Sequence, residues 1–463
     1  MTAEPQRQHP TITLAALALA GMAFSLLQSM VSPALHEIQT ELGTTETAVA
    51  WLLTGYLLSA AVCTPIVGRL GDMFGKARVL RIVLVILCVG TVLAGVASSI
   101  GVLIAARLIQ GVAGGVFPLA FGIIRDEFPR EKVAGSIGLI SALLGIGGGF
   151  GVVLAGVIVD NLSYHWLFWI PLVAVVAATV LVVFFVPESP VKAPGKVNWS
   201  GAILMSLGLS GLLLAISQAE TWGWGSARTL GLVAVAVLLL AAWVRNEQRA
   251  AEPLVDMRMM RIRGVWTTNV VALLTGVGMY SSFVLTPLLV QLPKETGYGF
   301  GVSVTAAGLY LLPSALTMLL AGSMVGRLEA RFGSKPPLMA GSIFTALSFV
   351  LLAFAHSEPW QIYLASLLQG LGIGLAFASM ANLIVQNVRM DQTGVATGMN
   401  TVARSVGGAL GAQVVAVILT ASVVLQHPTE TAFTIAFLFG AVMMGAAVAV
   451  SVLIPGRGAT VAR

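Results

Sequence analysis

Charge is scarce in this 463-residue sequence: Asp, Glu, Lys and Arg together make up 10% of it, against about 25% in an ordinary soluble domain. With 57% apolar residues and a mean hydropathy of +0.94, that scarcity excludes a water-soluble globular enzyme. Cysteine is nearly missing as well. Cys63 and Cys88 both lie in apolar runs that read as neighbouring membrane spans, which excludes a disulfide framework and a Cys/His metal site. No G-x-x-x-x-G-K-[ST] segment occurs, so no ATP site is expected. The five histidines (His9, His36, His165, His356, His427) fall in loops or at span ends. The apolar runs are thus left without the convergent acid, base or nucleophile that a membrane enzyme needs. A net charge of +6 would suit nucleic acid only if the basic residues shared one soluble face. They are dispersed, and no nucleic-acid partner is expected.

Long apolar runs are what the sequence has in abundance. Runs of about 17–25 residues lie near residues 11–34, 48–67, 80–98, 102–124, 135–159, 166–186, 199–219, 228–244, 265–290, 304–325, 337–355, 360–385, 396–421 and 432–454. They predict an all-α integral membrane protein of fourteen helices in a lipid bilayer, because a helix satisfies its own backbone donors and acceptors where water is missing. With the N-terminus placed inside and the spans alternating, every Lys and Arg except Arg107, Arg228, Lys294 and Arg404 falls on the inner side or in an inner tail. The positive-inside rule then predicts both termini in the cytoplasm of a multi-pass inner (plasma) membrane protein. All nine tryptophans map to span ends, where an amphipathic ring prefers to sit. The first span is long, follows a polar tail and has no clear small-residue cleavage site, so it reads as a retained helix and not a signal peptide.

The chain repeats itself at an offset of about 260 residues. Gly68-Arg69-Leu70 with Phe74-Gly75 recurs as Gly326-Arg327-Leu328 with Phe332-Gly333. Gln110-Gly111 with Gly115 recurs as Gln369-Gly370 with Gly374. Gly138, Gly147, Gly148 and Gly151 recur as Gly398, Gly407, Gly408 and Gly411. Two pseudo-symmetric six-helix bundles follow, residues 1–190 and 264–463, with helices 7 and 8 and a cytoplasmic linker inserted at 191–263. The inserted pair has no counterpart in the repeat and is expected outside both bundles. The linker's arginines, Arg245 to Arg263, are placed to meet anionic lipid. Parallel six-helix halves with a site between them are a transporter architecture, in which rocking gives alternating access.

The segment after helix 2 reads GRLGDMFGKAR, Gly68 to Arg78. Its glycines allow a tight turn and close helix approach, and Asp72 is one carboxylate among several cations. This segment resembles the signature loop of the major facilitator superfamily. Arg107, Gln110 and Gly111, spaced R-x-x-Q-G in helix 4, look like the family's second motif, and Gly147-x-x-x-Gly151 with Gly156 in helix 5 is similar to the third, typical of exporters. With fourteen spans, the resemblance is to the drug:proton antiporter branch and covers essentially the whole chain. It implies a proton-coupled exporter of small amphipathic compounds, with no cofactor beyond the proton gradient, and a monomer is expected. Asp72 would organise the cytoplasmic gate with Gly68, Gly75, Arg69 and Arg78 around it, and the helix 5 glycines would let the bundles slide.

The sequence departs from that branch in two places. Val152 stands where its helix 5 motif has proline. Helix 1 reads Leu27-Gln28-Ser29-Met30 where the branch tends to carry an acid, in a pattern like L-D-x-T. All 19 carboxylates map to loops or span ends, so proton coupling is expected without an acid in the membrane core. Neutral or anionic substrates are expected over permanent cations. Arg107 and Arg404 do lie inside spans. Arg107, whose repeat partner is Ser366, either tunes coupling or meets substrate, or else snorkels or bonds to backbone carbonyls. Arg404, whose partner is Leu144, either serves the cavity or acts as a structural clamp. Gln28, Tyr280, Gln369 and Asn382 are further candidates for the cavity wall. A lipid or metabolite carrier on the same fold, possibly uncoupled, is the rival reading; a membrane enzyme or a transporter-like sensor is a weaker one.

Overall fold

The computed structural model describes residues 10–193, 195–424 and 427–455; Arg7, His9, Arg457 and Arg463 lie outside the described residues. Among the described residues fourteen helices are long and apolar enough to cross a bilayer. They are α1 (Pro10–Ser29), α2 (Glu46–Phe74), α3 (Lys76–Gly95), α4 (Ile100–Glu127), α5 (Arg130–Asn161), α6 (Trp166–Phe185), α7 (Trp199–Trp222) and α8 (Ala227–Arg249), followed by α9 (Arg263–Gln291), α10 (Val304–Phe332), α11 (Lys335–Phe354), α12 (Pro359–Asn387), α13 (Thr393–Thr420) and α14 (Glu430–Val452). A two-stranded hairpin, Val423–Val424 against His427–Pro428, links α13 to α14.

Several helices start on a side-chain cap: Thr45 accepts from the Ala48 N–H, Ser303 from Ala306 and Thr429 from Ala432. The signature segment departs from the expected loop. It is helical up to Phe74 and breaks at Gly75 alone, with φ 109°, before α3 begins at Lys76. A helix can stop within one residue where glycine takes a positive φ. Gly333, at the repeat position, does the same with φ 82° between α10 and α11.

One apolar core joins α1 to α6 and a second joins α9 to α14. The inserted pair lies to one side. α7 packs through Ala202, Met205 and Leu209 on α13 residues Val395, Met399 and Val402, and Thr54 of α2 bonds Ser217 of α7 at 3.1 Å. α8 packs on α7, Gly208 lying against Leu240, and turns Leu230, Val237 and Leu238 outward where lipid would be. The segment between α8 and α9 buries Leu254, Val255 and Met259, so it is docked to the bundle and is not a free basic tether.

The halves meet along two seams. α5 runs beside α10 from Gly138 against Gly322 to Asp160, which accepts from the Thr305 hydroxyl at 2.8 Å. α2 meets α13 through the stretch from Thr64 to Asp72. The connections after α2, α4, α6, α8, α10 and α12, with the first turns of the helices that follow, share one face. They carry Lys76, Arg78, Arg130, Lys132, Lys192, Arg258 and Arg389 among their cations, and this is the basic face below.

Candidate transport site and its gate

On the basic face Asp72 is completely buried. Its carboxylate accepts the N–H groups of Gly394 at 3.1 Å and Val395 at 3.0 Å. These are unpaired first-turn donors of α13, where the helix dipole also favours an anion. The bond therefore ties the last turn of the second helix in one half to the first turn of a helix in the other. The two backbones can come this close because Gly68 and Gly394 face each other; a β-carbon on either would run into the other's carbonyl.

The cation paired with Asp72 is Lys76, and Arg69 acts on the same carboxylate from farther away. Lys76 Nζ lies 3.6 Å from Asp72 and 2.6 Å from Asp126 of α4. Its i,i+4 spacing across the Gly75 break points it back under Asp72, and its stem fits against Gly122, whereas Arg78 is exposed. Asp126 also accepts from Ser189, and Glu188 accepts the Ala77 and Arg78 N–H groups at the start of α3. Arg125 adds a second tie between the halves by donating to the carbonyls of Val388 and Arg389 and to the Thr393 hydroxyl, at 2.8, 3.0 and 2.6 Å. Across the other seam, Asn382 of α12 donates to the Ala134 carbonyl of α5 at 3.2 Å.

Away from that face a cavity of about 560 Å³ opens between the halves, walled by α1, α2, α5, α9 and α10 and reaching Ser32, Pro33 and Gln291 at their far ends. Among the described residues that line it, none is charged. Gln28 donates to the Tyr280 hydroxyl at 3.2 Å across the two halves, and Ser25, Ser29 and Tyr56 supply other polar atoms amid Met279, Phe283, Leu311 and Met318. A mostly apolar wall with a few polar groups suits a small amphipathic ligand. Below it, toward the basic face, lies a pocket of about 20 Å³ containing Arg404. Leu144 lines both.

Comparison with known proteins places the chain. A profile of the Major Facilitator Superfamily matches residues 17–412 and 269–462. The chain belongs to the major facilitator superfamily. It is 30% identical over 421 residues to the tetracenomycin C resistance and export protein of Streptomyces glaucescens, covering 90% of this chain and 77% of that protein. It is 28% identical to the multidrug transporter protein MdtP of Bacillus subtilis, covering 91% and 77%. The human organic anion transporter MFSD10 (TETRAN) superposes with a TM-score of 0.62 at 17% identity, over 96% of this chain and 100% of that one, a likeness of fold. The chain is a multi-pass membrane transporter of the efflux kind and not an enzyme.

Within this superfamily fold the motif residues take distinct places. Arg107 is completely buried behind the cavity wall. It donates to the carbonyls of Leu52 and Leu27, both at 3.1 Å, and to Gln110 Oε1 at 2.8 Å, and its guanidinium lies 4.1 Å from the Tyr56 ring centre. Gln110 donates onward to Thr91 of α3 at 3.1 Å, and Gly111 lies flat on Ser59 and the Tyr56 carbonyl of α2. This trio ties α1, α2, α3 and α4 together and does not line the cavity.

Gly147 and Gly151 seat α5 on Ser25 and Ser29 of α1, inside one half, while Gly156 faces Thr305 of α10 in the other. Gln28 and Tyr280 face the large cavity and Arg404 the small pocket. Gln369 instead accepts from Ser282 at 2.6 Å in the second core, and Asn382 sits at the basic-side seam. Sequence reading missed Ser25, Ser29 and Tyr56 among the polar cavity residues, and Tyr56 is the largest of them. Its signal was a single aromatic hydroxyl in span 2, and nothing local sets which way that helix turns it.

Proposed function

We propose that this protein is a proton-gradient-driven exporter of small amphipathic compounds, seen with its cytoplasmic side shut and its cavity facing outward. The observation that carries the reading is the pairing of the Asp72 clamp on the α13 N-terminus with an uncharged cavity on the opposite side of the molecule. The basic face is cytoplasmic, as the excess of Lys and Arg on it requires, so both termini are cytoplasmic and the membrane is the inner (plasma) membrane. Residues 1–190 and 264–463 rock as two units about the cavity, with 191–263 riding outside, and the protein works as a monomer without nucleic acid.

In this reading Gly68, Asp72 and Gly75 form the gate with Lys76 as its cation, and Arg69 and Arg78 flank it. Arg107, Gln110 and Gly111 keep α1, α2 and α4 in register so that Tyr56 stays in the wall. Gly147, Gly151 and Gly156 let α5 bear on α1 and α10, and Gln28 and Tyr280 meet the substrate. The relative that exports tetracenomycin C supports an aromatic natural product or drug as the cargo class. One observation favours the rival, an uncoupled carrier: among the described residues that line the cavity, none is a carboxylate.

Everted membrane vesicles containing the protein decide between them. An exporter accumulates fluorescent aromatic amphiphiles when the vesicles are energised and releases them when a protonophore collapses the gradient. Equal uptake with and without the gradient would establish the uncoupled carrier instead.

A further inference from the structure

The small pocket on the cytoplasmic side of the cavity is built differently from the cavity itself. Phe117 and Phe121 of α4 and Phe377 of α12 flank it, and Arg404 of α13 enters it beside Asn400 and Thr401. The Arg404 guanidinium stacks 4.4 Å from the Phe377 ring centre and is partly exposed. Among the described residues no carbonyl or carboxylate accepts a hydrogen bond from it, whereas Arg107 donates to three acceptors. Its repeat partner, Leu144, lines the same pocket from α5. The internal two-fold therefore brings an arginine and a leucine together here, and the positive charge belongs to one half alone.

A guanidinium within a span that binds neither backbone nor carboxylate is a functional group awaiting a ligand. Its planar fork matches an oxyanion bidentately, and three phenylalanines beside it offer faces and edges for an aromatic body. The Tyr280 ring, lying on Gly408 one turn beyond Arg404, and Leu144 separate this pocket from the large cavity. Arg404 rides on the helix whose first turn is clamped by Asp72, so release of that clamp moves the wall of the pocket.

We propose that Arg404 and its phenylalanines form a capture site for the carboxylate or other oxyanion of an aromatic amphiphile. Capture occurs from the cytoplasmic side once α13 has left Asp72. The large cavity is the release compartment, since none of the described residues lining it is charged and the anion leaves Arg404 behind. The direction of travel rests on the exporter reading; the binding does not.

Three dansyl probes test it by fluorescence titration on the purified full chain in lipid nanodiscs: dansylglycine (anion), dansylamide (neutral) and dansylcadaverine (cation). Dansylglycine is expected to bind about tenfold tighter than the other two, and Arg404→Gln to lower its affinity by about tenfold while changing dansylamide less than about twofold. Arg404→Lys, which keeps the charge but loses the fork, is expected to fall between, and it carries the test should Arg404→Gln fail to fold. Equal affinity of the three probes, or dansylglycine affinity unchanged in either variant, would overturn the site.

Everted vesicles separate the two proposals. Arg404-dependent dansylglycine binding without energised uptake would leave the anion site standing and remove the exporter. Energised dansylglycine uptake that ignores Arg404→Gln would keep the exporter and remove the site.

Discussion

Arg107 gives its guanidinium to backbone carbonyls of α1 and α2 and to Gln110, whereas Arg404, among the described residues, lies on the Phe377 ring face beside the small pocket with Tyr280 nearby and no hydrogen-bond acceptor. Both were visible in the sequence as charges in apolar spans. Which of them is aimed at the transport path was not, because the rotation of each helix is set by the neighbours it packs on. Loss of the fully buried Arg107 leaves a cavity among three helices, worth roughly 2–4 kcal/mol. Arg107→Ala should therefore lower the apparent melting temperature of the purified protein by several degrees. Arg404→Gln, which breaks no hydrogen bond within the protein, should leave it unchanged within experimental scatter. Equal losses in thermal unfolding scans would mean that Arg404 is a structural clamp after all.

Asp72 is the other residue the sequence singled out without showing its partners. The motif named the carboxylate, but its acceptor role toward Gly394 and Val395 spans 322 and 323 residues of chain, a pairing no local pattern encodes. A hydrogen bond to a charged acceptor contributes about 1.5–3 kcal/mol. Asp72→Asn, which can accept but carries no charge, should then shift the closed-to-open ratio of the cytoplasmic gate by roughly ten- to a hundredfold. Membrane expression should stay near normal on immunoblots while vesicle uptake falls severely; full uptake would reject the gate assignment.

At the scale of elements, the fourteen spans and their order were legible because apolar length and charge placement are properties of the sequence alone. Their ends were less so. The signature segment reads as a loop by its glycines and charges, yet it is a helix, since in a packed seam glycine serves close approach more than turning. α5 shows the same use of glycine on two faces. A β-carbon at Gly156 would lie 2.6 Å from the Thr305 hydroxyl, so Gly156→Leu should wedge α5 from α10 and abolish uptake, with Gly156→Ala intermediate. Wild-type uptake by the leucine variant would show that this contact is dispensable. The outward leucines of α8 carry no such constraint. Replacing Leu230 and Leu238 with alanine should leave uptake within about twofold, since the pair touches neither the cavity nor the seams.

At the scale of the whole molecule, the repeat made the two halves legible, and the differences between them hold the function. The second half has Ala330 where the first has Asp72, and Leu144 in the first half answers to Arg404 in the second. In the proposed reading a symmetric scaffold thus carries a gate from one half and a cation from the other. If the Asp72 clamp on α13 holds the cytoplasmic side shut, the distance across that side changes when the clamp is removed. Spin labels would go on Arg78→Cys and Met390→Cys, both exposed and in opposite halves, in a chain whose Cys63 and Cys88 are serine. Electron–electron double resonance should then give a single short-distance population in the parent chain, and a substantial second population at longer distance once Asp72→Asn is added. Identical distance distributions in the two proteins would contradict the account.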